Sequence, residues 1–324
     1  MTRFYAACCQ TDLPCPRSRD ELPERVTHLL RMVDYAVVGY RPFFDVKLVV
    51  FPEFAHAAPV YESAAELLEK LAVPLPNDQT ERYVKKARER GVYIQTGTFL
   101  ETDPRWPDVV FNTTLLIGPE GILARYRKVN PWLPWEVHAS PHDLLARGYD
   151  EPLFPVARTE IGTLGVAICY DWLFPEAIRA LALAGAEVLI RVSAYMDPWG
   201  ATPPLDWWTL FNRARAAENL AYVVACNQGA SMRNYPPFSW PGGSMIVDYD
   251  GRVLSQADPG PGEKIVVGPV DIAALRAERA RRDGHNLPRH LRTEAYRDLY
   301  ARPIWCDQRA AKPEPATLRK AKPQ

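Results

Sequence analysis

An α/β layered fold is what this sequence predicts, on three observations. Apolar runs of strand length alternate with helical patterns through most of its 324 residues. A composition of 47% hydrophobic and 24% charged residues is ordinary for a globular chain with a sizeable core. No composition break forces a division into two domains, and α/β folds of this length are often one domain.

Phe4–Gln10 and Lys47–Phe51 read as buried strands. Between them a helical stretch opens at Ser18 with Glu21 three residues on, the spacing of a capping box. Asn77–Arg90 has an amphipathic helical pattern stopped by Gly91, and Val92–Phe99 is the next strand. Val110–Ile117 and Ile122–Lys128 flank Gly118-Pro119-Glu120-Gly121, whose turn chemistry predicts a hairpin. From Asn130 to Asp150, prolines, tryptophans and histidines mark a long loop, and loops of that length usually carry function.

Beyond the loop, Gly162–Ile168 reads as a strand, Pro175–Ala184 as a helix and Glu187–Val192 as a strand. Trp207–Asn219 is helical and Tyr222–Asn227 a strand. Ser244–Val247 pairs with Val253–Ser255 in a hairpin across Tyr249-Asp250-Gly251. Ile265–Val270 closes the regular region and Ile272–Arg282 forms a charged helix. After Asp283 the chain is basic, polar and proline-containing, which predicts an arm or disordered tail. The expected division is a single domain over residues 1–284 and a C-terminal segment over 285–324, with no internal repeat visible.

Charge and cysteine usage exclude several function classes. With 39 acidic and 39 basic residues, no global field favours nucleic acid or an anionic membrane. No apolar run approaches the ~20 residues of a membrane helix. The start, MTRFYAACCQTDLP, lacks the cationic and long apolar segments of a secretory signal. The six cysteines at 8, 9, 15, 169, 226 and 306 form no CxxC pair, so free thiols in a reducing cytoplasm are expected. His138 and His142 stand four apart, but Pro141 between them argues against a helical metal-ligand pair. GxSxG, Walker and strand-linked GxGxxG motifs are absent. Trp199, Trp207 and Trp208 read as core or interface rather than a base-stacking platform, because no basic stripe accompanies them.

Cys169 ends a buried strand, with Pro175 opening a helix a few residues later. A thiol there is expected to face a helix's positive end, which favours thiolate; an inert buried cysteine is the plainer alternative. Glu53 follows the strand Val49-Val50-Phe51, at the sheet edge where α/β enzymes bind ligands. Partly desolvated, it would serve as a general base; a solvated strand-end acid is the alternative. Lys128 ends the strand Arg125-Tyr126-Arg127-Lys128, where its ammonium would stabilise an oxyanion or simply be solvated. Glu136 follows eight residues later among Trp132, Pro134 and Trp135, as a site acid or a loop ion-pair partner.

Together, FPEF at 51–54, YRKVNPW at 126–132 and CYDWLFPE at 169–176 resemble the Glu–Lys–Cys triad of the nitrilase, or carbon–nitrogen hydrolase, superfamily. ARAAENLAYVVACNQ at 214–228 and GGSMIVDYDGRVL at 242–254 extend the resemblance, which runs from about residue 3 to 272. RKVNPWLPWE and the Tyr170-Asp171 pair are similar to the aliphatic amidase and formamidase branch. Phe54 departs from a tyrosine common there, and 191–208 matches no amidase substrate loop.

The resemblance implies a four-layer αββα sandwich of the nitrilase type and hydrolysis of a non-peptide C–N bond in a small-molecule amide. Cys169 would be the nucleophile, Glu53 the base, and Lys128 with the Tyr170 N–H the oxyanion donors; Glu136 would orient substrate. Tyr61, Trp132, Tyr170 and Tyr195 would line the substrate site. No metal or organic cofactor is implied. A homodimer or higher homo-oligomer is, with residues 285–310 as exchanged arms. CYDWLFPE also resembles the N-carbamoylputrescine amidohydrolase motif. An N-carbamoyl substrate would want a charged clamp for its far end, for which Arg191 or Arg233 are the candidates.

Overall fold

The computed structural model describes residues 3–132, 136–197, 200–234 and 239–301. In chain order its first half holds β1 (Arg3–Gln10), α1 (Leu22–Val38), β2 (Val46–Val50), α2 (Ala64–Lys70), β3 (Val73–Pro74), α3 (Asp78–Arg90), β4 (Tyr93–Thr102), β5 (Phe111–Gly118) and β6 (Gly121–Arg127). The second half holds β7 (Val156–Thr159), β8 (Gly162–Ile168), α4 (Pro175–Leu183), β9 (Val188–Ser193), α5 (Trp207–Asn219), β10 (Tyr222–Asn227), β11 (Met245–Val247), β12 (Val253–Gln256), β13 (Lys264–Asp271), α6 (Ile272–Arg281), α7 (Leu287–His290) and α8 (Thr293–Ala301).

The expected elements are present within a few residues of their predicted bounds. The Ser18–Glu21 capping box forms, though it caps a short 3₁₀ turn that leads into α1. Asn77 caps α3, and Gly91 ends it with φ of 61°, the left-handed turn that glycine tolerates best. Three short elements, α2, β3 and β7, lack a long enough run to show in the periodicity. The segment expected to run as an arm after Asp283 carries α7 and α8; residues 302–324 lie outside the described ones.

Two sheets stack to make the core. One runs β13-β1-β2-β4-β5-β6 with β3 also on β4, the other β12-β11-β10-β9-β8-β7. Alternation along β1 shows the layering: Phe4, Ala6 and Cys8 pack between the sheets, whereas Ala7 and Cys9 pack beneath Val26, Leu29 and Val33 of α1. On the far side, Ile178 and Leu181 of α4 and Ala216 of α5 cover the second sheet, completing an αββα sandwich.

Although no repeat shows in the sequence, both sheets are wired alike. β13, β1, β2, β4, β5 and β6 are related antiparallel, parallel, parallel, antiparallel, antiparallel. The series β7, β8, β9, β10, β11 and β12 repeats that order. Each sheet therefore owns three parallel strands whose carboxyl ends carry loops. Those loops meet: Thr11 Oγ1 after β1 donates to Gln228 Oε1 after β10 at 2.9 Å, and Gln228 Nε2 donates to the Glu53 carbonyl at 2.7 Å. Among the described residues no helix is long and apolar enough to cross a membrane.

Candidate active site

Cys169 stands directly after β8 with φ of 47°, the left-handed region that side-chain-bearing residues enter only under constraint. Asp171 supplies the constraint. Its buried carboxylate accepts from the Ile168 N–H at 3.0 Å and the Tyr126 hydroxyl at 2.7 Å. The N–H and side chain of Asn130 add bonds of 2.8 and 2.9 Å. One acid thus ties the elbow of the second sheet to the end of β6 in the first.

The segment after β2 is equally fixed. Phe54 has φ of 61°, its N–H donates to Thr98 Oγ1 at 2.9 Å, and Glu53 is turned inward, 1% exposed. Glu53 Oε1 accepts from Asn112 Nδ2 and Lys128 Nζ, each at 2.9 Å, and Oε2 from the Ala194 N–H at 3.0 Å.

Lys128 is also buried, so the solvated strand end is not what the structure shows. Its neighbour Arg127 is buried as well, bound to Glu101 at 2.6 and 2.8 Å and to Asp103 at 2.8 Å. The basic stretch is therefore an alternation of paired interior cations. Lys128 Nζ donates to Glu136 Oε1 at 2.7 Å and Oε2 at 2.9 Å, besides its bond to Glu53. Its N–H groups are directed at two carboxylates, so donation to an oxyanion requires one of these bonds to loosen. Glu136 also accepts from the Trp132 N–H, and His138 Nε2 lies 3.5 Å away.

Burial sets the protonation states. Burial and then the Glu53 charge push the Cys169 thiol up to about 12, opposite to the thiolate expected from helix polarity. The five-residue 3₁₀ turn that begins at Cys169 offers too little dipole to offset desolvation. Burial and the Glu136 charge outweigh Lys128 and raise Glu53. For Glu136, burial acts upward, but the Lys128 charge and its hydrogen bonds prevail and hold it below the usual carboxylate value. Burial works against the Lys128 charge, yet its two carboxylates more than offset that and keep it protonated. His138 is driven down to about 4 by burial and stays neutral. The arrangement is a neutral thiol beside a carboxylate of raised basicity, with a second carboxylate and an ammonium locked behind them.

A cavity of about 580 Å³ opens onto Glu53, Glu136 and Cys169. Tyr61, Trp132, Tyr170 and Tyr195 all line it, so the eight predicted site residues meet at one place. Trp207 lines it too, whereas Trp208 is core and Trp199 lies outside the described residues. Arg233 is exposed. Arg191 is buried under α5, bonded to Asn212 Oδ1 at 3.0 Å with its guanidinium 4.3 Å from the Trp208 ring centre. Neither arginine is among the residues lining the cavity. His142 is exposed beside Asp143, and among the described residues no group of three or more acids, histidines or cysteines could hold a metal ion. Cys226 is buried in β10 against Cys8 and Ser244.

Sequence reasoning overlooked Asn112, Asp171, Ala194 and Gln228. Asn112 offered a signal, a lone amide opening the otherwise apolar or hydroxyl strand FNTTLLIG. Ala194 acts through its backbone and offered none.

Residues 6–280 match the family described as Carbon-nitrogen hydrolase. A formamidase of Bacillus cereus (strain Q1) is 30% identical over 265 residues, spanning 80% of this chain and 72% of that protein. Among solved structures, a Saccharomyces cerevisiae member of branch 10 of the nitrilase superfamily superposes with a TM-score of 0.70 at 23% identity, covering 86% of this chain and 94% of the other. An amidase from Nesterenkonia sp. gives a TM-score of 0.67 at 21% identity, covering 92% and 97%.

Proposed function

The chain belongs to the carbon–nitrogen hydrolase family, is an amidase-type enzyme of the nitrilase superfamily, and from that premise we propose that it cleaves primary amides to carboxylate and ammonia through a thioester on Cys169. The observation that carries this reading is the pairing of a thiol that burial keeps protonated with Glu53, a carboxylate whose basicity burial raises. A thiol held near 12 is no nucleophile by itself at neutral pH. A base in contact with it makes it one.

In the proposed sequence Glu53 takes the Cys169 proton as sulfur attacks the amide carbon. The negative charge that develops on oxygen is met by Lys128 and by the Tyr170 N–H, which lies in the first turn of a 3₁₀ helix where backbone donors lack intrahelical partners. Glu53 returns its proton to the nitrogen, the C–N bond breaks and ammonia leaves. Water then gives a proton to Glu53 and attacks the thioester, which releases the carboxylic acid and restores the thiol. Glu136 holds Lys128 in place and accepts an N–H of the substrate. An N-carbamoyl substrate is supported less, because its candidate clamps Arg191 and Arg233 are not on the cavity wall.

The test is interception. Hydroxylamine added during turnover should divert the acyl group to a hydroxamate, and rapid-quench mass spectrometry should find the acyl adduct on Cys169. Cys169→Ser should lose activity to below a few per cent while remaining folded, and Cys226→Ser should retain it. An adduct mapped to another cysteine refutes the assignment.

A further inference from the structure

The cavity is much larger than the smallest amides require. Formamide has three heavy atoms and fills roughly two to three water volumes of ~30 Å³, on the order of 60–90 Å³. The cavity holds about 580 Å³, within the range of sites that bind whole drug-sized ligands. A site built around formamide alone would leave most of this space to water beside the reacting bond.

The distribution of side chains says which part of the substrate fills it. Glu53, Glu136 and Cys169 cluster at the buried end with Lys128 behind them. In the proposed reaction the carboxylates receive the N–H groups of the amide nitrogen, which suits an unsubstituted NH₂. With the carbonyl carbon against sulfur, the acyl substituent is the group that faces the remaining wall. That wall is Trp132, Leu173, Tyr195, Met196, Trp207 and Trp240. Two of these are held by hydrogen bonds. Trp240 Nε1 donates to the Ala194 carbonyl at 2.6 Å, and the Tyr195 N–H donates to Asn227 Oδ1 at 2.8 Å. Among the described lining residues, charge away from the buried end is carried by the exposed Arg17 and Glu62, which are of opposite sign.

We propose that the natural substrate is a primary amide whose acyl part is a neutral, bulky apolar group, an aromatic ring or a chain of several carbons, rather than hydrogen or methyl. This rests on reading the cavity as an amide-hydrolysing site. Burial of acyl carbon raises kcat/KM by about fourfold for each CH₂ removed from water, and a ring adds the effect of several such groups.

The experiment measures ammonia release from formamide, acetamide, butyramide, hexanamide, phenylacetamide and succinamate, with Cys169→Ser as background. The expected result is a three- to fourfold rise in kcat/KM per methylene over the first few carbons. Phenylacetamide should exceed acetamide by at least about 100-fold. A maximum at formamide or acetamide, with decline as the chain grows, overturns the inference and leaves the amidase reading intact. Succinamate outrunning hexanamide would mean that Arg17 selects an anion and overturns it also. No ammonia above background from any amide would overturn both. Leu173→Trp, which narrows the cavity, should lower the phenylacetamide-to-acetamide ratio at least tenfold; an unchanged ratio in the folded variant refutes the assignment of the wall. If that variant fails to fold, the substrate series on the unaltered chain decides.

Discussion

Replacing Glu53 by glutamine removes the proposed base while nearly keeping the shape. The amide oxygen still accepts from Lys128 and Asn112, and one bond, to the Ala194 N–H, is given up. The consequence for chemistry follows from the thiol. With the thiol pushed up to about 12, pH 8 lies about four units below its titration, so only about one thiol in 10⁴ is ionised unaided. The Glu53 charge is itself the second cause of that elevation, so its loss lets the thiol titrate lower. Each unit recovered returns a factor of ten. Turnover of Glu53→Gln at pH 8 should therefore fall by about 10²- to 10⁴-fold.

The pH profile separates this from damage to the fold. Iodoacetamide alkylation of Cys169, followed by mass spectrometry from pH 6 to 10, should depend less steeply on pH in the parent protein, where Glu53 takes the thiol proton. In Glu53→Gln the rate should climb about tenfold per pH unit, because only free thiolate reacts. Identical profiles in the two proteins, or a variant retaining more than about a tenth of its turnover at pH 8, would refute the account.

Three other outcomes are expected. Glu136→Gln should preserve folding and Cys169 alkylation but lower amide turnover at least about 100-fold, since Lys128 keeps one of its two bonds to this side chain and loses the charge that anchors it; near-normal turnover would reduce Glu136 to an ion-pair partner. Asp171→Asn should cost roughly 2–6 kcal/mol, because an NH₂ replaces an oxygen that accepted two hydrogen bonds. In urea that is a midpoint drop of roughly 1–2 M, with Tyr126→Phe losing about half as much, and an unchanged midpoint would disprove the elbow's dependence on it. Burial drives His56 from 6.5 down to about 3, so the unfolded chain binds a proton that the folded one refuses as pH falls below 6.5. Its stabilisation is present above 6.5 and is lost on acidification, by about 2 kcal/mol at pH 5. His56→Gln should lose that much less than the parent between pH 7 and pH 5 in denaturant titrations, and equal losses would contradict the reading.

The sequence disclosed most of the fold because strands and helices leave different periods, and because Asn77, Gly91 and the 118–121 turn mark their ends. It disclosed the residue types that gather at the candidate site, but not the surroundings that set their charge states. The RYRK stretch reads as surface basicity, since a one-dimensional pattern cannot show that Glu101 and Asp103 await one face and Glu53 and Glu136 the other. Helix polarity near Cys169 suggested a thiolate, yet desolvation depends on everything packed around the sulfur, which comes from distant segments. Asp171 was read only as a flank of the motif, although its partners are Tyr126 and Asn130, more than 40 residues away. The similar wiring of the sheets left no repeat because the two layers bury different partners on their faces.

That wiring has a consequence for how the protein comes into being. Glu53 and Lys128 belong to the half synthesised first and Cys169 to the half synthesised second; contacts that join the base to its surroundings span 141 and 175 residues. During translation Glu53, the proposed base, therefore exists before Cys169, the thiol it would deprotonate. The thiol, once made, is an ordinary solvated cysteine until the second sheet docks. Docking changes both partners at once, burying the sulfur and placing the carboxylate against it. A chain stalled between these stages would carry a thiol that titrates like free cysteine and shows no base-assisted alkylation. The same labelling that reports the proposed chemistry therefore also times the closure of the sandwich, which long-range contacts, the pairing of β1 with β13 among them, make slow.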